Sequence, residues 1–108
     1  METKETERKS FNELIKDKTP VLVDFYADWC NPCKMMPPIL KQLKEAMGDK
    51  INIIKIDTER NPDVAIKYQV RGIPNLILFR EGELLWQQAG VVQMPLLQEV
   101  IERKLEKS

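Results

Sequence analysis

Apolar positions along the chain follow two rhythms. Val21 to Ala27 (VLVDFYA) and Ile51 to Asp57 (INIIKID) are short, nearly continuous apolar runs rich in β-branched and aromatic residues. Such runs predict buried strands. Leu76 to Arg80 and Glu83 to Ala89 flank Glu81-Gly82 and predict a hairpin. Elsewhere the spacing is helical. Phe11, Leu14 and Ile15 follow Ser10, a candidate N-cap, and Glu13 completes a capping box. Pro20 stops that helix. Ile39, Leu40, Leu43, Ala46 and Met47 mark a second helix, which starts after Cys33 and ends at Gly48. Pro37-Pro38 falls inside it and predicts a kink. Asn61-Pro62-Asp63 reads as N-cap, first-turn proline and first-turn acid of a third helix, running to about Gln69. Arg71 to Pro74 is a loop. Leu96, Leu97, Val100, Ile101 and Leu105 predict a last helix from about Pro95. The polar residues 1–9 are expected to be flexible or weakly helical.

The order is helix, strand, helix, strand, helix, hairpin, helix. A strand-helix-strand unit implies a right-handed parallel crossover. The hairpin adds antiparallel strands. The expected fold class is therefore α/β: a central mixed sheet flanked by helices on both faces. No repeat or linker divides the 108 residues, so one domain over 1–108 is expected.

Composition narrows the function. With 43% hydrophobic and 31% charged residues, the chain reads as an ordinary globular protein. Its 17 basic and 17 acidic residues leave no net charge, against a nucleic-acid partner. Apolar runs are far too short to span a bilayer, which argues against a membrane role. Histidine is absent, which excludes a Ser-His or Cys-His pair and a His-ligated metal. The first ten residues lack an apolar signal core. The expected location is cytoplasmic, or periplasmic if an export signal has been removed.

That leaves the two cysteines, Cys30 and Cys33, two residues apart where a buried strand feeds a helix. Three uses compete. A structural zinc needs four ligands, and the pair supplies two. A structural disulfide closing so short a loop contributes only ~2 kcal/mol. A reactive dithiol suits the location, because a helix N-terminus presents unpaired N–H groups that stabilise a thiolate. Thiol pKa values in such motifs fall from ~8.5 to between ~3.5 and ~7.5. Cys30, before the helix, is expected to be exposed and to act as nucleophile. Cys33, one turn further in, is the resolving thiol.

The segment Val21 to Met35, containing Asp24, Trp29-Cys30-Asn31-Pro32-Cys33 and Lys34, resembles the active-site strand and loop of the thioredoxin family. Lys55-Ile56-Asp57, Asn61-Pro62, Lys67-Tyr68, Arg71-Gly72-Ile73-Pro74, Leu78-Phe79, Gly82 and Gly90 follow in the family's order. The resemblance covers residues 10 to 105. It implies a thioredoxin fold with four or five strands. Four becomes possible because the polar start shows no clear first strand.

The resemblance also implies roles. Cys30 and Cys33 would form the redox-active disulfide, with no bound cofactor and no metal. Asp24 would relay a proton to and from Cys33; an unpaired carboxylate amid a buried run is costly, and burial raises its pKa. Lys55 matches the lysine near that Asp, though an exposed strand lysine would read the same. Pro74 matches the family's cis-proline, which lies against the dithiol and helps hold the substrate chain as an added strand. Trp29, Pro32, Gly72, Ile73, Gly90 and Val91 would form the shallow apolar surface around Cys30. Trp86 and the Met35-Met36 pair read as packing, with one methionine bordering that surface as the alternative.

The implied activity is reduction of protein disulfides, with a thioredoxin reductase as electron donor and a monomer as the working form. Two alternatives stand beside it: an exported oxidant or isomerase, and a thioredoxin-fold binding subunit. Four positions depart from the family's common pattern. Asn31 replaces Gly, Tyr26 stands in place of Trp, Asn75 in place of Thr, and Pro37 precedes the expected helix proline. Asn31 matters most, because the residues between the cysteines tune the potential. Without a cation there, the reducing end is expected.

Overall fold

A computed structural model describes residues 11–107. The expectations for residues 1–9 and for the Ser10 cap lie outside the described residues. A helical turn at residues 11–14 opens the described chain. Strand β1 (Val21–Tyr26) follows, then a 3₁₀ turn (Pro32–Met35) that runs into helix α1 (Met36–Met47). Strand β2 (Asn52–Asp57) and helix α2 (Pro62–Lys67) come next. Strands β3 (Asn75–Arg80) and β4 (Glu83–Ala89) and helix α3 (Met94–Lys107) complete the fold.

Among the described residues the sheet has four strands in the order β2-β1-β3-β4. The β1–β2 pair is parallel, and the β1–β3 and β3–β4 pairs are antiparallel. This is the expected mixed sheet. The central strands β1 and β3 are almost wholly buried, as their unbroken apolar runs require.

Side chains alternate across a strand, and that alternation sorts the core into two layers. Leu22, Leu76 and Leu78 pack with Met36, Ile39, Leu40 and Leu43 of α1 and with Leu97 and Ile101 of α3. Val21, Val23, Phe25, Ile77 and Phe79 pack with Phe11 and Ile15 on the other face. Phe11 meets Phe79 edge-on at 6.0 Å between ring centres, and Tyr68 meets Phe79 at 5.2 Å. Each of these large buried side chains contributes about 1.5–3 kcal/mol. Asp24 falls two residues after Leu22 and so projects from the α1 face, into the layer that Met36 closes.

Four sequence expectations shift for identifiable reasons. Pro37 and Pro38 do not interrupt a helix: α1 starts at Met36, so both fall in its first turn, where backbone N–H groups have no partner within the helix. The preceding residues take the tighter 3₁₀ form. Asn61 precedes α2 but makes no capping bond; its side-chain amide donates to the Asp57 carbonyl at 3.0 Å instead. Helix α2 then stops at Lys67, short of Gln69, whose φ is +54°. Leu96 is more than half exposed, so the inward face of α3 rests on Leu97 and Ile101. The Glu81-Gly82 hairpin turn has positive φ at both residues, as a two-residue hairpin connection demands. Its amides bond back to the Asp17 and Ile15 carbonyls, tying the hairpin to the first turn.

Candidate active site

The loop after β1 brings the two cysteines together. Cys30 and Cys33 form a disulfide, with their Cα atoms 5.3 Å apart. They cluster with Ala27, and Tyr26 and Ile73 pack against them. Cys30 is not exposed as the sequence suggested. Both cysteines are 4% accessible. The chain folds Cys30 under its own turn, its N–H bonded to the Ala27 carbonyl at 3.1 Å, and the 71–74 loop closes over it.

Exposure therefore does not rank the two sulfurs, but hydrogen bonding does. The Cys33 backbone N–H donates to Cys30 Sγ at 3.1 Å. That donor belongs to the first turn of the 3₁₀ segment, so the local dipole favours negative charge on Cys30. Cys30 Sγ also lies 3.8 Å from the Ile73 carbonyl. Pro32 opens the 3₁₀ turn, exposed, where its missing N–H costs nothing.

Asp24 is fully buried, and neither carboxylate oxygen has a hydrogen-bond partner. Burial pushes its pKa from 3.8 up to about 6, with Lys55 pulling the other way. Lys55 stands opposite Asp24 in the β1–β2 register. Its ammonium sits over the Tyr26 ring, 4.7 Å from the ring centre. A cleft of about 150 Å³ is lined by Tyr26, Ala27, Asp28, Cys33, Lys34, Pro37 and Lys55. It joins Cys33 to exposed residues and is large enough for several waters. Asp24 itself does not line this cleft; Lys55, its register partner, does, on the same cleft as Cys33.

The substrate-facing candidates are held from three directions. The Ile73–Pro74 peptide is cis, and Pro74 is buried. The Gly90 N–H donates to the Pro74 carbonyl at 2.7 Å. Gly90 has a φ of +97°, a conformation that L side chains rarely adopt. Gly72 is exposed and Ile73 partly buried on the disulfide. Val91 is half-buried and packs on the α1-side core, with Trp86 beside the same cluster. Trp29 is 66% exposed, and its indole N–H donates to the Glu59 carboxylate. Met35 is half exposed at the end of the 3₁₀ turn, whereas Met36 is fully buried.

Three residues had no place in the sequence reading of the site. Glu59 orients Trp29. Asn75, noted only as a departure, is buried and bonds the Gly72 carbonyl. Gln87 donates to Asn75 from the neighbouring strand. Only the position of Asn75 after Pro74 carried any signal. Among the described residues, no three His, Cys, Asp or Glu side chains gather as a metal would require, and no helix is long and apolar enough to cross a membrane.

The thioredoxin family model matches residues 2–103. Thioredoxin Y, chloroplastic, of Oryza sativa subsp. japonica is 45% identical over 98 residues, covering 90% of this chain and 58% of that protein. Thioredoxin of Bacillus subtilis is 44% identical over 85 residues, covering 79% and 82% respectively. A solved mutant thioredoxin from Halobacterium salinarum NRC-1 shares 38% identity with a TM-score of 0.77, covering 86% of this chain and 80% of that one. The chain spans 49% to 59% of the length of three chloroplastic relatives it matches.

Proposed function

The chain belongs to the thioredoxin family, and on that premise we propose that it is a thiol–disulfide oxidoreductase that reduces disulfides in protein substrates. The observation that carries the reading is the Cys30–Cys33 disulfide at a strand-to-helix junction, with a backbone N–H aimed at Cys30 Sγ.

In the reduced enzyme the Cys30 thiolate attacks one sulfur of a substrate disulfide. An S–S bond forms between Cys30 and that sulfur, and the other substrate sulfur leaves as a thiolate that takes up a proton. Cys33 then loses its proton and attacks Cys30 Sγ. The mixed disulfide breaks, the second substrate thiol is released, and the Cys30–Cys33 disulfide remains. Two electrons pass from the dithiol to the substrate.

Asp24 is the proton acceptor for Cys33. With a pKa of about 6 it is roughly nine-tenths ionised at pH 7, yet close enough to neutrality to return the proton. Lys55 keeps that pKa from rising further. The cleft beside Cys33 carries the proton to and from solvent. Trp29, Pro32, Gly72, Ile73, Pro74, Gly90 and Val91 receive the substrate chain, which is held against the Ile73–Pro74 segment beside the disulfide.

The thioredoxin domain works as a monomer with no bound cofactor. Its partners are protein disulfides and a thioredoxin reductase that returns the electrons. The location that goes with this reading is the cytoplasm, or the periplasm if an export signal has been removed. Insulin disulfide reduction with a dithiol donor tests the activity: the wild type precipitates the insulin B chain, and Cys30→Ser loses the rate enhancement. Equal rates for the two would refute the assignment.

A further inference from the structure

We propose that Asn75 and Gln87 form a positioning pair that sets the height of the Gly72–Pro74 edge over the disulfide, and so governs docking of protein substrates. The inference rests on the reading of that edge as the substrate's landing strip, given above.

The Asn75 side chain is 3% accessible, at the first position of β3. A buried amide needs partners for both ends, and each end has one. Its Nδ2 donates to the Gly72 carbonyl at 3.1 Å. Its Oδ1 accepts from Gln87 Nε2 at 3.0 Å. Gln87 Nε2 also donates to the Tyr68 carbonyl, again at 3.0 Å. An amide nitrogen has two protons, and both are used. The donation from Gln87 fixes which end of Asn75 is the oxygen, which aims the nitrogen at Gly72.

The result is a relay between parts distant in sequence. Tyr68, at the end of α2, and Gln87, in β4, are bonded through Asn75 to the carbonyl before Ile73. Ile73 packs on the disulfide, and its own carbonyl lies 3.8 Å from Cys30 Sγ. On the other side of Pro74 the loop is held by the Gly90 N–H. Asn75 therefore provides the side-chain tether upstream of Pro74, opposite the backbone tether downstream. Neither amide touches a sulfur, so the pair acts through the loop and not on the chemistry.

Two variants separate the roles. Gln87→Leu keeps the side chain's bulk and removes the donor. Asn75→Ser removes the reach to Gly72, and it decides the matter if Gln87→Leu does not fold. Hydrogen exchange at the Gly90 amide, which donates to the Pro74 carbonyl and so reports on the loop, should speed by about tenfold, the scale of one lost buried hydrogen bond. KM for a protein disulfide should rise by about fivefold or more, on the same scale. The kcat, and the rate with a small aromatic disulfide that needs no docking strand, should stay as in the wild type. The double variant should be no worse than the worse single one, because the pair is one relay. Unchanged exchange in a folded variant overturns the proposal. So does a small-disulfide rate that falls as KM for the protein disulfide rises, or a double variant whose effects multiply. The exchange readout needs no catalysis, so a wild type inactive on protein disulfides would refute the functional reading while leaving the pair itself to be decided by exchange.

Discussion

Lys55 stands directly across from Asp24 in the parallel pairing of β1 and β2, yet its ammonium lies over the Tyr26 ring, not in a hydrogen bond to the carboxylate. The lysine therefore acts on Asp24 through space, opposing the burial that raises its pKa to about 6. Lys55→Met removes the opposing charge and leaves the burial. The Asp24 midpoint should then move above that of the wild type, followed by the carboxyl carbon shift in an NMR titration. A midpoint that stays in place would mean that Lys55 has no hold on it.

The same raised pKa makes stability depend on pH. Between pH 3.8 and about 6 the folded protein keeps a proton on Asp24 that the unfolded chain has released. Stability from this group is present below pH 3.8 and is lost as pH climbs through 6. Moving the pKa from 3.8 to about 6 corresponds to roughly 3 kcal/mol. Asp24→Asn cannot ionise, so it should be the more stable protein at pH 8 by up to about that amount, with the advantage gone below pH 4. Urea unfolding of the oxidised proteins at pH 4, 6 and 8 checks this. A difference that does not vary with pH would contradict it.

The potential follows from what surrounds Cys30. A strongly oxidising pair needs a heavily stabilised reduced form. Cys30 Sγ receives one backbone N–H, from Cys33, and Asn31 adds no charge and no capping bond. Equilibration with glutathione should place the couple nearer ~−270 mV than ~−120 mV. A value above about −200 mV would instead favour the oxidant or isomerase reading.

Most of the fold was legible because the buried runs had unambiguous rhythms. VLVDFYA and INIIKID both became strands, and the Glu81-Gly82 turn formed where it was expected. Asp24 declared itself as a charge with no place in an apolar run. What the sequence misstated was local and three-dimensional. Pro37-Pro38 reads as a kink until the 3₁₀ segment is seen to delay the start of α1. Cys30 reads as exposed until the 71–74 loop is seen to cover it, and that loop is over 40 residues away. Glu59 and Gln87 gave no signal at all, because ordinary polar residues acquire a role only through the neighbours the fold supplies. Asn75 was visible as a departure from a pattern, but its two partners were not.

The central claim is an order of attack: Cys30 first, Cys33 second. It is tested most directly by incubating the reduced Cys33→Ser and Cys30→Ser variants with a protein disulfide and measuring intact mass. Cys33→Ser should accumulate a mixed disulfide between Cys30 and the substrate, because nothing remains to resolve it, while Cys30→Ser should accumulate almost none. Equal trapping by both variants, or trapping through Cys33 alone, would contradict the account.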